Sequence, residues 1–71
     1  MNNKVKVLDV VALTEDLPEN KLERGQVGTV VELLAPDVYE VEFADNDGRT
    51  YAEVAVKEDQ LLVLHYEPAF A

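Results

Sequence analysis

Arg24-Gly25-Gln26-Val27-Gly28-Thr29-Val30-Val31-Glu32-Leu33 is a glycine-punctuated turn that runs straight into a β-strand. Gly25 stands where the chain needs a positive φ to enter a sheet, a conformation open to glycine because it lacks Cβ. Gly28 lies inside the strand pattern, where glycine marks a bulge or a tight bend. The strand is predicted over 27–34 and ends at Ala35-Pro36-Asp37, because Pro36 has no N–H for a ladder. Downstream, 38–44 alternates strictly: Tyr39, Val41 and Phe43 point one way, Val38, Glu40 and Glu42 the other. One buried face and one wet face is the signature of an antiparallel strand. Asp45-Asn46-Asp47-Gly48 is a hairpin connection with Gly48 as its left-handed residue. A further strand over 49–56 places Thr50, Ala52, Val54 and Val56 on one face. Residues 57–60 suffice for a single helical turn, and 61–64 for a last strand.

Upstream, residues 5–13 are apolar and β-branched and read as the first strand, its regular part starting near Asp9. Residues 14–25, TEDLPENKLERG, have neither period and contain Pro18, so they form a long loop. Leu17 and Leu22 are expected to pin it to the sheet. The whole is all-β. Residues 1–71 form one domain with its core at about 7–64 and a tail at 65–71, in which Tyr66 and Phe70 either fold back or offer an apolar contact.

The chain has 71 residues and no cysteine, so no disulfide or thiolate metal site staples it. A chain this short buries only about 60% of its unfolded surface, which predicts marginal stability. The absence of cysteine suits a cytoplasmic protein. Residues 1–7 lack a signal-peptide pattern, and no run approaches the length that spans a membrane. Fifteen acidic residues against six basic ones give a net charge of −9. Such a surface repels phosphate backbones and anionic lipid, which argues against nucleic-acid and membrane partners. A basic protein partner is the one that electrostatics favours. The plainer account of the same charge is solubility.

Catalytic chemistry finds little material. There is no serine or cysteine, which leaves Thr14, Thr29 and Thr50 and three tyrosines as hydroxyl candidates. His65 is the one imidazole, with no nucleophile to serve. Asp45-Asn46-Asp47-Gly48 fails the calcium-loop pattern, since Phe43 and Val54 would occupy its first and last ligand positions. No grouping has zinc spacing, and Gly25 and Gly28 complete no phosphate-binding motif. No cofactor is expected. Glu40 and Glu42 share a strand face, with Glu53 expected nearby, but an open face supplies neither the cleft nor the desolvation that glycoside hydrolysis needs.

Five short strands, a long first loop and one helical turn before the last strand resemble a small five-stranded SH3-like barrel. The run 25–31 is similar to the glycine-and-valine core of KOW motifs in ribosomal and transcription proteins. Across 7–64, the segments 8–13, 24–32, 39–43, 47–51 and 59–62 together resemble the domain-of-unknown-function 4926 family of small bacterial proteins. That resemblance implies a single compact domain and transfers no catalytic residue.

The expectation is therefore a non-catalytic acidic interaction module, of antitoxin, immunity or escort type. Glu40, Glu42, Asp45, Asp47, Tyr51 and Glu53 are its candidate partner-binding residues, with Glu15, Asp16, Glu19 and Glu23 extending the acidic stripe. Tyr51 is a single aromatic, thin material for a proline-rich peptide groove. Two other expectations stand beside this one. The first is a KOW-like nucleic-acid- or ribosome-associated domain. The second is a homo-oligomeric subunit that self-associates through exposed strand edges or through its tail.

Overall fold

Alternating apolar residues turn one face of 38–44 inward, and that strand is an interior strand of the sheet in the computed structural model, which describes residues 5–68. The strands are β1 (Val10–Leu13), β2 (Val27–Ala35), β3 (Val38–Ala44), β4 (Thr50–Lys57) and β5 (Leu61–Val63). Short 3₁₀ turns occupy Pro18–Asn20 and Glu58–Gln60. All pairings are antiparallel, in the order β4-β3-β2-β1-β5. The architecture is all-β and compatible with an SH3-like barrel, but the ladder does not close: β4 and β5 end the sheet as separate edges. Among the described residues no helix is long and apolar enough to cross a membrane.

The inner face carries the core. Val11, Val30, Val41 and Phe43 are fully buried, joined by Val5, Leu13, Leu22, Tyr39, Val56 and Leu61. Gly28 faces Phe43 in the β2–β3 register. A Cβ there would lie 2.7 Å from Val41 Cγ1, 2.8 Å from the Glu42 carbonyl oxygen and 3.0 Å from Phe43 Cδ2. The expected bulge is not at this glycine. Gly28 is required because β3 side chains fill the space a side chain would need. The irregularities of β2 fall later, between Val30 and Glu32 and between Leu33 and Ala35.

The loop from β1 to β2 is an ordered excursion. The N–H groups of Leu17 and Leu22 each donate to the other's carbonyl, at 2.8 and 3.1 Å, around the Pro18–Asn20 turn. Leu22 is buried and Leu17 packs against the core, so both pin the loop as expected. At its base Gly25 N–H donates to Leu13 O at 2.8 Å and Leu13 N–H to Gln26 O at 3.0 Å. Gly25 takes φ +94° and Gly48 φ +82°, as their turns demand.

Three expectations need correction. The first strand is confined to Val10–Leu13, because residues 6–9 form a turn closed by Asp9 N–H donating to Lys6 O at 3.0 Å. Its third residue, Leu8, has φ +81°, the value a type II turn requires there and one that glycine normally supplies. The last strand ends at Val63. Thr50 does not share the inner face with Ala52. Phe43 pairs with Ala52 but Ala44 with Thr50, so Tyr51 is an extra residue in β4 that reverses the facing of Thr50.

Gly28→Ala should destabilise the fold by about 1–3 kcal/mol, because a carbonyl oxygen and two core side chains must yield. A lowered urea midpoint with unchanged slope would show it. Leu8→Gly should act oppositely. Relief of ~1–2 kcal/mol of left-handed strain exceeds the ~0.5–1 kcal/mol entropic cost of glycine, and Leu8 is largely exposed. The same titration should show a higher midpoint.

Candidate interaction surface

Register determines what the outer face of β2, β3 and β4 displays. Glu32 lies opposite Glu40, and Glu42 opposite Glu53. Two like-charged cross-strand pairs in succession are destabilising, since like charges directly opposite repel. The sequence pattern identifies Glu40, Glu42 and Glu53 but misses Glu32. Strict alternation from Val30 would send residue 32 inward; the irregularity at Val31 turns it outward, beside Glu40.

Glu40 registers this crowding. A hydrogen bond shared with Glu53, then desolvation, then the charges of Glu53 and Glu32 hold its carboxyl above the ordinary glutamate value. Beside it, the Thr50 hydroxyl donates to the Glu42 carboxylate, a contact made possible by the extra residue at Tyr51. Among the described residues, ion pairs are confined to Arg49 with Asp45 and Asp47, so the glutamates of this face have no cationic partner there. Nor do any three His, Asp or Glu side chains among the described residues gather to hold a metal ion.

The other expected residues lie elsewhere and have local work. Asp45 Oδ1 accepts from the N–H groups of Asp47 and Arg49, both at 2.9 Å, which shapes the β3–β4 hairpin. Asp47 is 3.1 Å from Arg49 Nη2. These two carboxylates are thus partly neutralised at the hairpin tip. Tyr51 is half exposed, but its ring lies 6.4 Å from that of buried Phe43, and its hydroxyl accepts from Gln26 Nε2 at 2.9 Å. It therefore belongs to the core-side rim and not to the glutamate face.

The loop acids divide likewise. Asp16 Oδ1 accepts from Arg24 N–H at 2.8 Å, and Glu15 accepts from Gln60 Nε2 at 2.7 Å. Glu19 and Glu23 remain exposed on the loop. Tyr39 anchors the opposite end of the sheet. Its hydroxyl donates to Glu58 at 3.4 Å, and burial, followed by the Glu58 charge, raises its pKa. His65 and Tyr66 are exposed and, with Leu8, Val10 and Leu64, line a shallow groove. Phe70, the other aromatic of the expected tail contact, lies outside the described residues.

The raised pKa of Glu40 has a signed consequence. A carboxyl that holds its proton more tightly when folded contributes stability that is full below the ordinary glutamate value. That contribution is lost as pH rises through the folded value. Glu40→Gln keeps a donor toward Glu53 and removes a charge. It should therefore raise the urea midpoint at neutral pH, with the gain disappearing as pH falls below the ordinary glutamate range. Paired titrations of the two proteins across pH 3–8 check both the sign and the window.

A family model described as Domain of unknown function (DUF4926) matches residues 7–63. No curated protein and no solved structure matches the chain. The matched span starts in the Lys6–Asp9 turn and ends with β5, so it takes in every strand and both faces described above. With the match covering well over half of its length, the chain belongs to that family of domains of unknown function.

Proposed function

We propose that this protein is a non-catalytic interaction module whose outer face receives an arginine- or lysine-rich segment of one cognate protein. The observation that supports the reading is the succession of like-charged pairs, Glu32 with Glu40 and Glu42 with Glu53, set side by side and ion-paired to no cation among the described residues. A face serving solubility alone is most stable when signs alternate across strands. Here the isolated domain accepts repulsion that a cationic partner would relieve. The relief is differential: it exists in the complex and not in the free chain, which is what a binding free energy requires.

The net charge of −9 extends the same bias to long range and would steer a basic partner to the domain. Small size and acidity suit a neutralising or escorting role of antitoxin or immunity type, in a cytoplasmic setting consistent with the absence of cysteine.

The test is capture of the partner from the native host at low ionic strength with tagged wild-type protein and with the Glu40→Lys/Glu42→Lys double variant, read by mass spectrometry. A basic, stoichiometric partner retained by the wild type should be lost or weakened at least about tenfold by the variant, whose circular dichroism stays native. Equal retention by both proteins would refute the glutamate-face reading. Ribosomal proteins and RNA throughout the eluate, with a low-salt gel shift, would move the assignment to the KOW-like alternative.

A further inference from the structure

Strand β4 is an uncovered edge of the sheet, eight residues long and free of proline. Its hydrogen-bonding direction follows from its last residues. Glu58 N–H returns to Asp37 O at 2.8 Å, whereas Lys57 N–H is taken by Gln60 Oε1 at 3.0 Å. Alternation then directs the backbone groups of Val56 and Val54 toward β3 and those of Ala55 and Glu53 away from it. Among the described residues no backbone or side-chain hydrogen bond reaches the outward groups of Ala55 and Glu53. Proteins usually blunt such an edge by covering it or by placing charged side chains (lysine above all), a bulge, a proline or an inward-pointing charge along it. The charges on this edge, Glu53 and Lys57, are of opposite sign. In β4 the extra residue sits at Tyr51, before this stretch, and Glu53 and Lys57 point to the outer face with Glu42 and Val38.

The segment Glu53-Val54-Ala55-Val56-Lys57 is complementary to itself when reversed. Two copies run antiparallel about a twofold axis through Ala55 would place Glu53 of each opposite Lys57 of the other. Val54 would lie opposite Val56 on the inner face, and the two Ala55 residues would meet on the axis. No other antiparallel twofold register of β4 pairs these charges. A register centred on Glu53 sets the two glutamates against each other, and one centred on Lys57 does the same to the lysines.

We infer that the β4 edge is a homodimer interface, in which two copies pair antiparallel about Ala55 to form one continuous ten-stranded sheet. The Ala55 pair exchanges two backbone hydrogen bonds, and each Glu53 N–H donates to the opposing Lys57 carbonyl. Gln60 caps Lys57 N–H and so ends the ladder. Lys57, exposed at the strand end, supplies the cation that lets Glu53 sit in the joint despite the acidity of both chains. The interface is small, so a weak, concentration-dependent dimer is expected. Joined this way, the glutamate rows of the two copies run along one side of a single sheet. The inference does not depend on what those rows bind.

Sedimentation velocity of the intact chain from about 10 μM to about 1 mM, at ~0.15 M salt to screen long-range repulsion, reads the equilibrium. Wild type should pass from monomer to dimer. Lys57→Glu and Glu53→Lys should each weaken the dimer at least tenfold. The Glu53→Lys/Lys57→Glu exchange should restore it, which a merely structural role for either residue would not do. Amide exchange of wild type supplies a readout without substitution: Glu53 and Ala55 should gain protection at high concentration. A monomer throughout the range, a Lys57→Glu protein that dimerises like wild type, failure of the exchange variant to dimerise, or unchanged exchange at Glu53 and Ala55 would overturn the assignment.

Discussion

The close approach of β3 to Gly28 is the constraint on which the rest of the structure depends. Val41, the Glu42 carbonyl and Phe43 occupy the volume a side chain at residue 28 would need. That contact holds two central strands together on the inner face, and both sequence neighbours of Gly28 follow from it. Val27 and Thr29 face outward, and Val30 enters the core opposite Val41. In a domain of 71 residues the core is small. Fully burying Phe43 against a bare glycine backbone gains apolar area without lengthening the chain.

With the centre set, the strand irregularities decide which residues reach solvent together. Strict alternation along β2 and β4 would scatter the outer-face chemistry. The extra residue at Val31 brings Glu32 to the side of Glu40, and the one at Tyr51 brings Thr50 to Glu42 while directing the Tyr51 ring toward Phe43. Bulges commonly re-aim side chains in this way. Here two of them assemble the acidic face and clear the Tyr51 ring from it. The same device leaves Glu53 to Lys57 regular, and a regular stretch is what edge pairing requires.

Alternation alone located β3 to the residue, because Tyr39, Val41 and Phe43 have no competing pattern and both flanking turns carry their own chemistry. Gly25 and Gly48 were equally legible, since only a positive φ explains glycine in those turns. Three features were not. Residues 6–9 have strand-like composition but form a turn, because Asp9 accepts Lys6 N–H and closes it locally. Gly28 had a packing role, and packing across strands leaves no mark in one strand's pattern. Glu32 was invisible because a one-residue irregularity inverts the facing of everything beyond it, and nothing in the composition of β2 announces one. Of the expected site, the trio Glu40, Glu42 and Glu53 follows from register. Charge alone recommends Asp45 and Asp47, whereas their carboxylates are engaged by the turn they build.

Charge placement then separates two uses of acidity in one small domain. The carboxylates of Asp9 and Asp45 accept backbone N–H groups within four residues and stabilise turns, and that of Asp16 accepts the Arg24 N–H across the β1–β2 loop. The four glutamates of the outer face accept no backbone donor among the described residues and repel one another. Short aspartate side chains reach their own backbone, and longer glutamates on strands project beyond it. The division follows from side-chain length. Aspartate at turns adds stability to the free domain, while glutamate across paired strands subtracts from it. A surface that lowers the stability of the isolated chain, opposite a core packed closely enough to exclude a methyl group, carries a repulsion that protonation at Glu40 eases and that, on the function proposed above, a cationic partner eases at neutral pH.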